Sequence, residues 1–298
     1  MALISGARVR RLSCGGLSFT AYEMGQGPLV LLLHGFPDTP RTWRLQMPAL
    51  AAAGYRAVAV TLRGYEPSSQ PRDGDFHVAA LAQDVVDWAD ALGAQRAHLV
   101  GHDWGASIAY AAAALAPQRW LSLSTLAVPH PAAFAADLPS DKAQLQRIRY
   151  IMFFQLRGLS DWAIERKDWA YLERLWARWS PGWEWDPGDL QAMKIAFAQP
   201  GVKAAALSYY RQALDARSDA GKAGAALFAR PIQVPTLGLT GQLDGCIGSD
   251  VFERCMPPAL FPKGARVRRL AGVGHFLHLE QAQAVNALVL EFMGECTP

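Results

Sequence analysis

With 298 residues, 51% of them hydrophobic, the chain suits one large domain or two modest ones and is too apolar for wholesale disorder. Lys and Arg number 29 against 26 Asp and Glu, and this net charge of +3 is too small to demand nucleic acid or an anionic membrane as partner.

Residues 16–27 read as a strand and turn leading into a second strand. PLVLLLHG (28–35) is a continuous apolar run closed by glycine, the pattern of a strand buried on both faces. Helical spacing covers about 42–53, and AVAV (57–60) is another apolar strand. A helix over 81–91, a strand at 97–100, an Ala-rich helix over 107–115 and the strand-like LSLSTLAV (121–128) follow. Strands alternating with helices predict parallel pairing, hence a mostly parallel, doubly wound α/β sheet.

The rhythm breaks near Pro129. From there to about Ala229 no buried-strand run occurs, and the amphipathic stretches carry Trp162, Trp169, Trp176, Trp179, Trp183 and Trp185. Strands resume at VPTLGLTG (234–241) and ARVRRLAG (265–272), and a last amphipathic helix covers about 280–293. The expected organisation is an α/β core from 1–130 and 230–298 with an inserted helical cap from 131–229. Such a cap lies over the carboxyl ends of the strands, where open α/β sheets bind ligands. The heptapeptide GARVRRL occurs at 6–12 and again at 264–270, with no period between the copies. It reads as two strands whose arginines face water.

The four cysteines, Cys14, Cys246, Cys255 and Cys296, form no CxxC and no cluster in sequence, which argues against a disulfide scaffold or a zinc site. Leu29–Leu33 is far short of the ~20 residues that span a bilayer. The opening MALISGARVRR lacks the apolar stretch of a signal peptide. A soluble, cytoplasmic enzyme is the expectation.

The sharpest local signal is Gly101-His102-Asp103-Trp104-Gly105, between a predicted strand and a predicted helix. Small residues two before and two after the centre let the chain turn sharply and raise the middle side chain, the nucleophile-elbow pattern usually centred on Ser. Here the centre is Asp103, which a helix N-terminus keeps ionised; a plain N-cap Asp is the bland alternative. His34-Gly35-Phe36-Pro37, at the end of a strand one strand-helix unit before the elbow strand, can aim the Phe36 N–H at the elbow. With the Trp104 N–H it would form an oxyanion hole. Gly272-Val273-Gly274-His275-Phe276 places His275 in a glycine-flanked loop as a base, while His278 fits packing on the last helix better than metal binding. The base needs an orienting acid. Asp244 in GQLDG supplies it; Asp250 lies further on and starts a helix, and the loop 127–131 holds no acid. The order 103, 244, 275 is the hydrolase order of nucleophile, acid and base.

Together these segments resemble the α/β-hydrolase superfamily over essentially the whole chain. HGFPDTPRTW (34–43), LRGYEPSS (62–69), GHDWGA (101–106) and VPHP (128–131) are similar to its Asp-nucleophile branch, and most of all to the epoxide hydrolases. That resemblance implies an enzyme opening apolar organic epoxides to vicinal diols through a covalent Asp ester, with no cofactor and no metal. Its partners are a small-molecule epoxide and water, and homo-oligomers are compatible with it. It also implies two cap tyrosines that donate to the epoxide oxygen. YIMFFQ (150–155) puts the first at Tyr150, and SYYR (208–211) puts the second at Tyr210.

The residues favour the same chemistry. An Asp nucleophile gives an ester whose carbonyl belongs to the enzyme, so water activated by His275 can release product. An epoxide oxygen leaves as a basic alkoxide and needs a proton, which Tyr, with a pKa near ~10, holds at neutral pH. Phe36, Trp104, Phe153, Phe154, Tyr209 and Phe276 would line an aromatic pocket. The rival is a haloalkane dehalogenase with the same triad, which Trp104 fits, although that family usually has Asn where this chain has Phe36. Fluoroacetate dehalogenases usually carry arginines just after the nucleophile, and an ordinary esterase needs Ser at 103. A non-catalytic receptor on the same fold would need no complete set of reactive residues.

Overall fold

The computed structural model describes residues 3–297. Eight strands form one sheet: β1 (Arg8–Cys14), β2 (Leu17–Met24), β3 (Leu29–Leu33), β4 (Arg56–Val60), β5 (Ala97–His102), β6 (Trp120–Leu126), β7 (Thr236–Gly241) and β8 (Ala265–Leu270). Their spatial order is β1-β2-β4-β3-β5-β6-β7-β8. β2 pairs antiparallel with β1 and β4, and every other pair is parallel. The mostly parallel sheet expected from the sequence is present.

Every residue of β3, β5, β6 and β7 is buried, as strands covered on both faces must be. The period of two then divides each strand between two cores. Leu29, Leu31 and Leu33 join one core with helices α2 (Val78–Ala91) and α3 (Trp104–Leu115). Val30 and Leu32 join the other with α1 (Gln46–Ala52) and the C-terminal helix.

From β3 the chain passes through α1 to β4 on one side, then crosses back to β5 on the other. The strand order therefore reverses between β3 and β5. That reversal opens a crevice at the carboxyl ends of these two strands, and it places the HGFP turn after β3 beside the elbow after β5. Two glycines make the approach possible. A Cβ at Gly105 would lie 2.0 Å from the Leu33 carbonyl oxygen, and one at Gly35 would lie 2.4 Å from Asp103 Cβ.

Between β6 and β7 the described chain is helical: α4 (Pro131–Asp137), α5 (Lys142–Arg147), α6 (Arg149–Phe154), α7 (Leu159–Trp179), α8 (Pro187–Phe197), α9 (Val202–Ala213) and α10 (Asp219–Phe228). α7 is broken at Arg166–Trp169, where Lys167, Asp168 and Trp169 take positive φ. After β7 come α11 (Ser249–Arg254), α12 (Leu277–Glu280) and α13 (Ala282–Cys296). The last helix, expected over about 280–293, is α13, and the short α12 precedes it, parted from it at Gln281, whose φ of −132° leaves the helical region. α3 starts three residues before the sequence pattern suggests, because the elbow runs into the helix with no loop between.

The two GARVRRL copies contribute β1 and β8, the opposite edges of the sheet. Their arginines pair with acids: Arg10 with Glu23 at 2.9 Å, Arg11 with Glu66 at 3.1 Å and Arg269 with Glu253 at 2.6 Å. A charged edge strand resists pairing with a second chain.

Candidate active site

Asp103 stands between β5 and α3 with φ 52° and ψ −120°, a conformation a non-glycine residue adopts only when its surroundings hold it there. Its Oδ1 accepts a hydrogen bond from the Phe36 N–H at 2.7 Å. Trp104 is the first residue of α3, so its N–H has no acceptor within the helix.

His275 follows β8 and is completely buried. Its Nδ1 donates to Asp244 Oδ2 at 2.9 Å, while its Nε2 faces Asp103 Oδ2 at 3.5 Å with no hydrogen-bond partner. Asp244 is oriented in turn, because its Oδ1 accepts from the N–H groups of Cys246 at 2.7 Å and Ile247 at 3.0 Å. The three residues separated by 141 and 31 positions in sequence are brought into one line.

Charge follows from this geometry. Burial works against a charged His275, but Asp244 and Asp103 outweigh it and push the imidazole up to about 10. Burial likewise opposes the Asp103 carboxylate, yet the contact with His275 and the Phe36 N–H hold it below the usual range. In the resting site both carboxylates therefore flank an imidazolium.

Asp250 is elsewhere. It sits in the first turn of α11 and accepts from Arg269 at 2.6 Å on the surface. Asp244→Asn is accordingly expected to slow turnover by on the order of 10³–10⁴-fold, because an amide stabilises the wrong imidazole tautomer. Asp250→Asn is expected to leave steady-state rates alone. The reverse pattern in parallel kinetics would reassign the acid.

Tyr150 and Tyr210 of the helical segment converge on this site. Tyr210 packs edge-on against Phe36 at 5.0 Å, Trp104 at 5.1 Å and Phe154 at 5.0 Å between centroids, and Tyr150 lies 5.7 Å from it. The Tyr210 hydroxyl is buried without a hydrogen bond, and the Tyr150 hydroxyl has only the Cys246 sulfur at 3.5 Å. Burial first, and then nearby Asp103 and Cys246, push both phenols well above their ordinary value, so both stay protonated. Tyr209 differs from its neighbour, since its hydroxyl donates to the Arg63 carbonyl at 2.7 Å.

Two aromatic candidates lie outside this cluster. Phe153 packs on Tyr171 at 5.4 Å and on Phe154, one layer away from Phe36. Phe276 lies behind His275, stacked on Trp183 at 4.9 Å and beside Trp176 at 5.0 Å. His278 joins Thr42 and packs on Trp43, as a structural histidine does.

Other residues of the helical segment hold the site, a part that no motif in the sequence assigns them. The Trp179 carbonyl accepts from the N–H groups of His275 at 3.0 Å and Gly245 at 2.9 Å. Ser180 Oγ accepts from the Phe276 N–H and donates to Glu280, whose other oxygen accepts from Gly274. Gln144 bonds Cys246 and Gly248, and Arg147 donates to the Asp244 carbonyl. The tryptophan run was a visible signal; the backbone carbonyl that matters is not a side-chain property at all.

A model of the alpha/beta hydrolase fold matches residues 28–282, most of the chain. The chain belongs to the α/β-hydrolase family. Within that family the hydrolase resembles an epoxide hydrolase of Caballeronia sordidicola, at 31% identity over 98% of this chain and 95% of that protein. It also resembles epoxide hydrolase B of Mycobacterium tuberculosis, at 30% identity over 97% and 99% of the two chains. An epoxide hydrolase structure from an endophytic Streptomyces superposes with a TM-score of 0.80 at 29% identity, covering 97% of the hydrolase and 96% of that chain. No helix among its described residues is long and apolar enough to cross a membrane.

Proposed function

We propose that this hydrolase opens apolar organic epoxides to vicinal diols through an ester on Asp103. The observation that carries the reading is the Tyr210 hydroxyl, buried and unpartnered beside Phe36, Trp104 and Tyr150. A phenol with no acceptor of its own is a donor waiting for one. Residues 131–229 act as a cap domain on a core of 1–130 and 230–298, and a cytoplasmic location belongs to the same reading.

In the first step Asp103 Oδ2 attacks an epoxide carbon and the carbon–oxygen bond breaks. Negative charge passes from Asp103 to the epoxide oxygen, where Tyr150 and Tyr210 donate. The product alkoxide takes a proton from one phenol, and the His275 imidazolium restores that phenol, leaving neutral imidazole. Its Nε2 then removes a proton from water attacking the Asp103 carboxyl carbon. The charge forms on Asp103 Oδ1, already held by the Phe36 N–H, with Trp104 N–H as the second donor. Collapse expels the diol oxygen, which takes the proton that His275 drew from water, and the Asp103 carboxyl passes its own proton to His275, restoring carboxylate and imidazolium. Phe36, Phe154 and Trp104 supply the apolar wall.

Haloalkane dehalogenation is the second reading. In its favour is the Trp179 indole N–H, buried without a partner beside His275 at 5.1 Å between centroids. A panel of styrene-like and aliphatic epoxides run beside haloalkanes separates the two. One turnover with excess enzyme in heavy-oxygen water is expected to place label in the Asp103 peptide. Label confined to the diol would mean that water attacks the epoxide directly.

A further inference from the structure

The Cys246 thiol takes no part in the steps above, yet it faces the same space. Its sulfur, a carboxylate oxygen of Asp103 and a ring nitrogen of His275 lie within 4.8 Å of one another, and all three residues are buried. His275 Nε2 is fully buried and lacks a hydrogen-bond partner. In a tetrahedral site with bonds of ~2.0–2.3 Å, neighbouring ligand atoms stand roughly 3.3–3.6 Å apart. His275 Nε2 and Asp103 Oδ2 already stand 3.5 Å apart, and the Cys246 sulfur is within 4.8 Å of the ligand atoms of both residues.

The surroundings suit a metal as well. His275 Nδ1 donates to Asp244, the carboxylate–histidine arrangement that fixes the tautomer and strengthens an imidazole as ligand. Thiolate, imidazole and carboxylate together select a zinc-like cation, whereas magnesium and calcium prefer shells of oxygen. Residues 103, 246 and 275 share no metal-binding spacing in the sequence; only the fold assembles them.

We propose that Asp103, His275 and Cys246 form an inhibitory site for a thiophilic divalent cation of the zinc class. Binding releases both the thiol proton and the Nε2 proton of the resting imidazolium to solvent, and it involves no redox change. The cation occupies the lone pairs that the nucleophile and the base require, so it competes with substrate. The inhibition rests on the epoxide hydrolase reading; the binding does not.

The test titrates the full chain with zinc chloride in a calorimeter, and with cadmium chloride while the ultraviolet thiolate-to-metal charge-transfer band is followed. One equivalent is expected to bind with a thiolate band, and epoxide turnover is expected to fall competitively and recover with chelator. Loss of an outer partner costs a metal site about 10–100-fold, and loss of a ligand costs at least as much. Cys246→Ser is therefore expected to lose the band and to need roughly 100-fold more zinc for half-inhibition of its own rate. If that variant does not fold, Asp103→Asn tests another ligand by calorimetry alone, with the same expected weakening.

No binding overturns the proposal. So does a band that survives in Cys246→Ser, which assigns the thiolate to another cysteine. Equal zinc affinity in both proteins without a band also overturns it, and points to the buried group Asp38, His102 and His278, likewise within 4.8 Å. A band lost in Cys246→Ser from a protein that turns over no epoxide keeps the site and removes the epoxide reading.

Discussion

Replacing His275 with Gln is expected to stop the reaction at the ester, so that intact-mass measurement shows protein plus one substrate mass. Gln keeps a polar side chain of similar reach but supplies no base. General-base loss costs ~10²–10⁴-fold in rate, and only the second step draws on it. Alkylation should survive because Asp103, the nucleophile, is untouched and keeps its Phe36 N–H. On the proposed mechanism the charge balance in the wild type moves between steps. Two carboxylates push free His275 up to about 10 against the effect of burial. Esterification neutralises Asp103 and removes one of them, so the imidazole becomes easier to deprotonate when a base is wanted. Ester hydrolysis in single turnover is therefore expected to rise with pH along a curve whose midpoint lies below 10. No adduct in His275→Gln, with turnover equally lost, would show that His275 is needed before the ester forms.

The strand pattern and the tight strand-to-helix turn at Asp103 could be read from the sequence because each has a local signature, and Asp103, Asp244 and His275, expected to meet, lie together. PLVLLLHG declares a strand buried on both faces, and glycines at 101 and 105 declare a turn too tight for side chains. What could not be read was contact between distant segments. Trp104, Tyr209 and Tyr210 look alike in a list of aromatics, yet the Tyr209 hydroxyl is committed to Arg63 and that of Tyr210 is free. Phe153 and Phe154 are adjacent, but a helix turns successive residues by about 100°, so one faces Tyr210 and the other Tyr171. The clasp from Trp179 and Ser180 onto the His275 loop rests on a carbonyl and a hydroxyl, groups whose partners no residue type announces. Helices from the segment expected as a cap thus hold the loops that carry His275 and Asp244.

Tyr150→Phe and Tyr210→Phe are each expected to lower the alkylation rate by roughly 30- to 1000-fold, the ~2–4 kcal/mol that one donor to a developing oxyanion is worth. The double variant should be nearly inactive towards epoxides. Each change removes one oxygen and keeps the ring, so the contacts of Tyr210 with Phe36, Phe154 and Trp104 and those of Tyr150 with Phe154 and Trp179 persist, and melting temperature serves as the control. For Tyr210 no hydrogen bond is lost on mutation, since its hydroxyl has none in the resting site. Folding should therefore be unaffected or slightly improved, because an unpartnered buried hydroxyl is a cost. Tyr209→Phe is the matched comparison. It loses the bond to Arg63 and some stability, ~1 kcal/mol, while alkylation should change little. Stability and rate thus move in opposite senses at neighbouring positions, a pattern that general damage to the site cannot produce. Hydrolysis of an ester already formed should be nearly normal in all three, because that step uses His275 and the N–H groups of Phe36 and Trp104. Alkylation at the wild-type rate in the double variant would make both tyrosines packing residues. Faster consumption of haloalkanes than of any epoxide by the wild type would move the assignment to the dehalogenase reading.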